Sequence, residues 1–258
     1  MSDPARLLAH DDVGEGDRVV VFVHAFPLDR RMWRAQIDAV RAESARAIAV
    51  DLAGFGGSRE IAPCSSIDAN ADDVAALLDA RGVARATLVG LSMGGYVAIA
   101  FARRHGARLD GLVLADTKAT ADDDAARAAR DVNAAKARGH GAEALIDGML
   151  PRLLSAHASK SMLDEVRAMG ASQPIESLAA ALLAMRDRAD ATSQLSAITV
   201  PTAVVVGEDD LVTPRRDADA LCGGIRSAKL TVIPRAGHLS NVEQPIAFAA
   251  AIAALLRT

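Results

Sequence analysis

Short runs of β-favouring residues alternate along this chain with longer alanine-rich stretches, and that alternation leaves few folds open. Residues 19–23, 47–50, 87–89, 112–114, 203–206 and 230–233 are such runs. None of them alternates apolar with polar residues, so each reads as a strand buried on both faces. Between them, residues 32–42, 67–80, 94–104, 215–222 and 245–256 carry helical periodicity. Strand–helix–strand repetition demands right-handed crossovers, which produces a mainly parallel, twisted sheet flanked by helices: an α/β fold. Residues 7–17, with the turn signal Gly14-Glu15-Gly16-Asp17, are expected to add an antiparallel strand.

The alternation stops at about residue 117 and resumes at about 198. In between come four helix-like stretches, 121–138, 142–154, 160–169 and 175–188, separated by Gly139, Gly141, Pro151, Gly170 and Pro174. This predicts a helical cap over residues 118–197, inserted into a core made of residues 1–117 and 198–258. In open α/β sheets ligands bind beyond the carboxyl ends of the strands, so such an insertion is expected to cover a ligand site. The acidic run Asp122-Asp123-Asp124 reads as a solvated helix N-terminus favoured by the helix dipole, not as a metal site.

Composition narrows the function classes. Of 258 residues 51% are hydrophobic but only 3% aromatic, which suits alanine-rich helices packed on an aliphatic sheet. The formal charge of −4 argues against a nucleic-acid partner and against a polybasic membrane patch. No stretch approaches the roughly 20 apolar residues of a membrane span. Residues 1–12 contain acid and no long apolar run, so a cytoplasmic protein without a secretory leader is expected. Cys64 and Cys222 lack disulfide-framework or metal-ligand spacing and read as free thiols; no cofactor or metal is implied.

The residues that carry chemistry begin with Gly90-Leu91-Ser92-Met93-Gly94, a G-x-S-x-G pattern between an expected strand and an expected helix. A sharp strand-to-helix turn needs glycine on both sides of the serine, presents the hydroxyl, and points free helix N–H groups at developing negative charge. Serine is a weak nucleophile without a base. His238, in the loop after the last strand, is placed to be that base, and a carboxylate must then orient the imidazole. Glu208, Asp209 and Asp210 follow the 203–206 strand, and Asp116 follows an earlier one; spacing alone leaves all of them open.

With these residues in view, the chain resembles the α/β-hydrolase superfamily, in particular serine esterases and enol-lactonases. His24-Ala25-Phe26-Pro27 is similar to that family's His-Gly-x-Pro segment, and Asp51-Leu52-Ala53-Gly54-Phe55-Gly56-Gly57-Ser58 to its D-x-x-G-x-G-x-S loop. Residues 207–214 resemble its G-x-x-D-x-x-x-P, and Gly237-His238 with Glu243-Gln244-Pro245 its late histidine loop. The resemblance spans nearly the whole chain. It implies a catalytic triad of Ser92, Asp210 and His238, and an oxyanion hole made by the backbone N–H groups of Phe26 and Met93. Ala25 stands where the family usually has glycine, so its methyl is expected to restrict that loop and narrow the pocket. Ala25, Phe26 and Met93 are the substrate-pocket candidates. His24 reads as a structural hydrogen-bonding residue and Trp33 as a core anchor, although Met32-Trp33 also looks like some lactonases. His140 and His157 read as exposed helix-end residues.

The expected activity is hydrolysis of a small carboxylic ester or lactone through an acyl-enzyme, the partner being a small-molecule substrate. Carbon–carbon bond hydrolysis or cofactor-free perhydrolysis on the same triad, and a ligand receptor that retains the fold, are the alternatives. The cap composition predicts a modest apolar pocket that selects by aliphatic shape.

Overall fold

The computed structural model describes residues 7–257. Residues 1–6, part of the segment read above for a leader, and Thr258 lie outside the described residues. The strands are β1 (His10–Val13), β2 (Val19–Val23), β3 (Arg46–Val50), β4 (Ala86–Leu91), β5 (Leu109–Ala115), β6 (Thr202–Gly207) and β7 (Ala228–Ile233). They form a sheet of order β1-β3-β2-β4-β5-β6-β7. Only β1 runs antiparallel, against β3; every other pairing is parallel. The N-terminal strand is therefore present, but shorter than the 7–17 stretch suggested.

The core helices are α1 (Arg34–Ala42), α2 (Ile67–Ala80) and α3 (Met93–His105). The helical insertion follows with α4 (Asp124–Leu153), α5 (Lys160–Ala171) and α6 (Ile175–Arg186), and the chain closes with α7 (Arg215–Gly224), α8 (Ser240–Glu243) and α9 (Pro245–Leu256). The two helices expected at 121–138 and 142–154 are joined in α4. Gly141 breaks the helical path inside it with φ of 84°, a left-handed conformation that glycine adopts freely. Met32 and Trp33 belong to a short 3₁₀ turn, Arg30–Trp33, that precedes α1.

Because the central strands are covered on both faces, successive residues feed two separate cores. Val21 and Val23 pack into one with α2 and α3, whereas Val20 and Phe22 pack into the other with α1 and α9. Trp33 is fully buried in the second core, its ring 5.2 Å from Phe22 and 5.9 Å from Phe248. Burying each such large side chain contributes about 2 kcal/mol. Among the described residues no helix is long and apolar enough to cross a membrane.

Parallel strands put all their carboxyl ends on one edge. The segments after β2, β4, β5, β6 and β7 thus converge there, carrying Phe26, Ser92, Asp116, Asp210 and His238. The helices between β5 and β6 lie over the same edge, where α4 supplies one wall of a cavity above Ser92.

Candidate active site

Ser92 sits between β4 and α3 with φ of 55° and ψ of −113°, a strained conformation for a residue with a side chain. Its surroundings over-determine that geometry. The Ser92 N–H donates to the Ala115 carbonyl at 2.9 Å, and its own carbonyl accepts from the Thr117 hydroxyl at 2.9 Å and the Tyr96 N–H at 3.1 Å. The flanking glycines are obligatory for space. A Cβ on Gly94 would stand 2.1 Å from the Val23 carbonyl oxygen, and one on Gly90 2.2 Å from the Gly94 carbonyl oxygen.

The Ser92 hydroxyl is 2.8 Å from His238 Nε2, and His238 Nδ1 is 2.9 Å from Asp210 Oδ2. An ionised carboxylate only accepts, so the proton between them sits on Nδ1, leaving Nε2 as the acceptor for the serine hydroxyl. All three side chains are buried, His238 to 1% exposure. Asp210 is held by more than the imidazole. Its Oδ1 accepts from the N–H groups of Val212 at 2.7 Å and Thr213 at 3.0 Å, and its Oδ2 also accepts from the Thr213 hydroxyl at 2.7 Å. Burial would raise its pKa, but the interaction with the His238 imidazole and the Thr213 donors prevails and holds it below the usual carboxylate value.

Of the four carboxylates that spacing leaves open, Asp210 is the one hydrogen-bonded to the imidazole among the described residues. Glu208 and Asp209 are exposed, and the Glu208 side chain accepts from the Arg235 N–H at 3.2 Å. Asp116 is buried but, among the described residues, makes no hydrogen bond to the imidazole: it accepts from the Gly207 N–H at 2.7 Å and from the Ser240 hydroxyl. Burial, reinforced by the neighbouring negative charge of Asp210, pushes the Asp116 carboxyl well above its ordinary range.

Met93 is the first residue of α3, where N–H groups have no intrahelical acceptor. Phe26 lies in the loop after β2 and its side chain lines the cavity over Ser92. Ala25 and Met93 do not line that cavity. The Ala25 methyl is fully buried in the core beneath, among Leu28, Met32 and Trp33, so it fills core volume where it was expected to narrow a pocket. His24 is also fully buried and structural: Nδ1 contacts the Ala25 carbonyl at 3.0 Å and Nε2 accepts from the Leu52 N–H at 3.1 Å. Burial lowers its pKa, which fits a neutral ring bridging two loops. His140 and His157 are exposed.

Two residues lie within motifs read in the sequence, but their roles were not read there. Thr213 orients Asp210 through both its N–H and its hydroxyl; its place just before Pro214 in the acid-bearing turn is the only signal for it. Glu243 accepts from Gly237 N–H at 2.7 Å and from the Ser155 hydroxyl at 2.5 Å, tying the histidine loop to the helical insertion.

Asp122 corrects the reading of the acidic run as solvated. Asp123 does cap α4, accepting from the Ala126 N–H at 2.8 Å. Asp122, however, is buried and pairs with Arg188 at 2.9 Å, Arg130 at 3.1 Å and Lys118 at 3.5 Å. Burial works against its charge, but the Arg188 hydrogen bond and the charges of Arg130 and Arg188 lower its pKa to about 2. A local charge run cannot show that distant arginines will fold onto one of its members.

The cavity above Ser92 encloses about 290 Å³. Its lining includes Phe26, Tyr96, Leu145, Met149 and Met185, together with Lys118, Arg130, Lys136 and Arg152. The expectation of a modest apolar pocket is therefore incomplete: helical periodicity separates polar from apolar faces but does not distinguish bulk solvent from a wet cavity.

Comparison with known proteins places the fold in a family. The profile of the alpha/beta hydrolase family matches residues 20–251. A thermophilic esterase from Thermogutta terrifontis, solved with malate bound, superposes with a TM-score of 0.93 at 41% identity, covering 97% of this chain and 93% of that one. The enol-lactonase of Burkholderia xenovorans superposes at 0.89 with 29% identity, over 97% and 96% of the two chains. In sequence, 3-oxoadipate enol-lactonase 2 of Acinetobacter baylyi is 30% identical over 95% of this chain and 91% of its own length.

Proposed function

This chain belongs to the alpha/beta hydrolase family, and we propose that it hydrolyses a small carboxylic ester or lactone through an acyl-enzyme on Ser92. The observation that carries the reading is the imidazole of His238 bridging the Ser92 hydroxyl, at 2.8 Å, and the Asp210 carboxylate, at 2.9 Å.

In the first half-reaction His238 Nε2 takes the Ser92 proton as Oγ attacks the carbonyl carbon. The tetrahedral oxyanion is held by the Met93 N–H, at the positive end of α3, and by the Phe26 N–H. His238 then returns the proton to the leaving alkoxide; in a lactone that oxygen stays tethered to the acyl group. Water, deprotonated by the same nitrogen, attacks the acyl-enzyme, and the carboxylic acid leaves with Ser92 restored. Asp210 stabilises the imidazolium in both steps and fixes the Nδ1–H tautomer. The helices between β5 and β6 act as a cap over this chemistry.

The test is turnover of short p-nitrophenyl esters by the wild type and by Ser92→Ala, with a fluorophosphonate label mapped by peptide. The reading expects a loss of about 10⁴-fold or more in kcat and labelling at Ser92 alone. Equal turnover by the two proteins, or a label elsewhere, would end it. Adding enol-lactones and vinylogous diketones to the panel separates ester and lactone cleavage from carbon–carbon cleavage.

A further inference from the structure

The charges lining the cavity do not cancel. Lys118, Arg130, Lys136 and Arg152 line it against one carboxylate, Asp122. Asp122 is already shared between Lys118, Arg130 and Arg188. Among the described residues Lys136 makes no hydrogen bond or ion pair; Asp147, the carboxylate that feels its charge, is held by Nε and Nη2 of Arg167 at 2.6 and 3.0 Å. The Lys136 ammonium lies over the bare backbone of Gly148, where a Cβ would stand 2.8 Å from Nζ, and Gly148 is itself part of the lining. Arg152 donates to the Leu211 carbonyl at 3.0 Å and pairs with no carboxylate among the described residues. This excess of positive charge faces Ser92 in a protein whose net charge is −4.

A cleft lined by one sign of charge concentrates counter-ions of the other sign, and does so more strongly where its walls are of low dielectric. Here the cations share the lining with apolar side chains: Phe26, Leu145, Met149 and Met185. Phe26 and Ser92 come from the strand-end side, while Arg130, Lys136 and Arg152 come from α4, which supplies much of the rest of the lining. A ligand whose carbonyl meets Ser92 therefore extends its far end toward α4. We propose that this cavity selects anionic substrates: small esters or lactones bearing an ionised carboxylate, which Lys136 and Arg152 hold while the ester carbonyl lies at Ser92. The proposal rests on the hydrolase reading above and adds the substrate's charge to it.

Two arms test it. In the first, monoethyl glutarate is compared with ethyl pentanoate, and 3-acetoxypropanoate with propyl acetate, each by pH-stat. The carboxylate is thus offered on the acyl side and then on the alcohol side. At low salt an anionic member of these pairs should exceed its neutral partner in kcat/KM by about tenfold, the preference shrinking toward unity at high ionic strength. Lys136→Gln and Arg152→Gln should each reduce that ratio, and the double variant should abolish it. In the second arm, binding of glutarate to Ser92→Ala is measured by calorimetry, with no turnover needed; it should be salt-sensitive and lost in the added Lys136→Gln, Arg152→Gln background. Absence of turnover on all four esters would count against the hydrolase reading while leaving the binding arm to judge the charge selection. Neutral esters turned over as well as both anionic ones, or glutarate binding that the double variant leaves intact, would overturn the proposal.

Discussion

Ser240 donates its hydroxyl hydrogen bond to Asp116, a carboxyl group that sits at the end of β5 and is buried to 1% exposure. Asp116 also accepts from the Gly207 N–H at the end of β6. One buried carboxyl group thereby joins the end of the strand that leads to Asp210 to the segment just after His238. The proposed acid–base pair is aligned from behind by a second acid.

The raised pKa of Asp116 has a definite sign in a stability profile. Its folded-state value lies above the unfolded one, so the folded protein binds the extra proton; this contribution favours folding at low pH and is lost as pH rises through the folded-state value. Asp116→Asn keeps a neutral acceptor and should remove that pH dependence with little loss of stability at acid pH. Asp116→Ala leaves the Gly207 N–H and the Ser240 hydroxyl without their acceptor and should cost about 1–3 kcal/mol. Urea unfolding of both variants between pH 4 and pH 8 checks the difference.

Asp210→Asn should keep the fold and lose the reaction. Its amide can donate to Nδ1, placing the imidazole proton on Nε2, where it faces Ser92 as a donor; a drop in kcat of about 10⁴-fold is expected. Thr213→Val should lose less, since the Val212 and Thr213 N–H groups still hold Oδ1 at 2.7 and 3.0 Å. Steady-state kinetics on one ester for both variants decide this ordering. A larger loss for Thr213→Val than for Asp210→Asn would contradict it.

Gly94→Ala should be among the most destabilising single changes in the chain. The added methyl would press on backbone, the Val23 carbonyl at 2.1 Å, which no rotamer change relieves. A loss above about 3 kcal/mol, or failure to accumulate folded protein, is expected. Gly139→Ala, at a position with open space around it, is the control and should be neutral or slightly stabilising in thermal unfolding.

Asp122, with its pKa lowered to about 2, adds stability that is fully present above the ordinary value of 3.8 and fades as pH falls toward 2. Asp122→Asn should lower stability by about 2 kcal/mol at neutral pH, because Arg188, Arg130 and Lys118 lose a shared counter-charge, and should flatten the acid limb. Chemical unfolding at pH 7 and pH 3 would reveal it; equal losses at both would contradict the ionic account.

Local pattern and chain order were enough to read the sheet, the flanking helices, the tight turn at Ser92 and the late position of His238. Those features depend on neighbours within a few residues, where periodicity and glycine spacing act directly. The acid was not legible in that way: Glu208, Asp209, Asp210 and Asp116 are equivalent by spacing, and only the resemblance to hydrolases favoured Asp210. What separates them is burial and direction, which arise when β5, β6 and the histidine loop meet. The same holds for Asp122, whose partner Arg188 lies beyond α6, and for the cationic cavity, assembled from a helix kinked at Gly141 over a serine far off in sequence. Charge balance across such distances belongs to the folded arrangement, because the electrostatic energy of each group depends on which others are brought near and how much water is left between them.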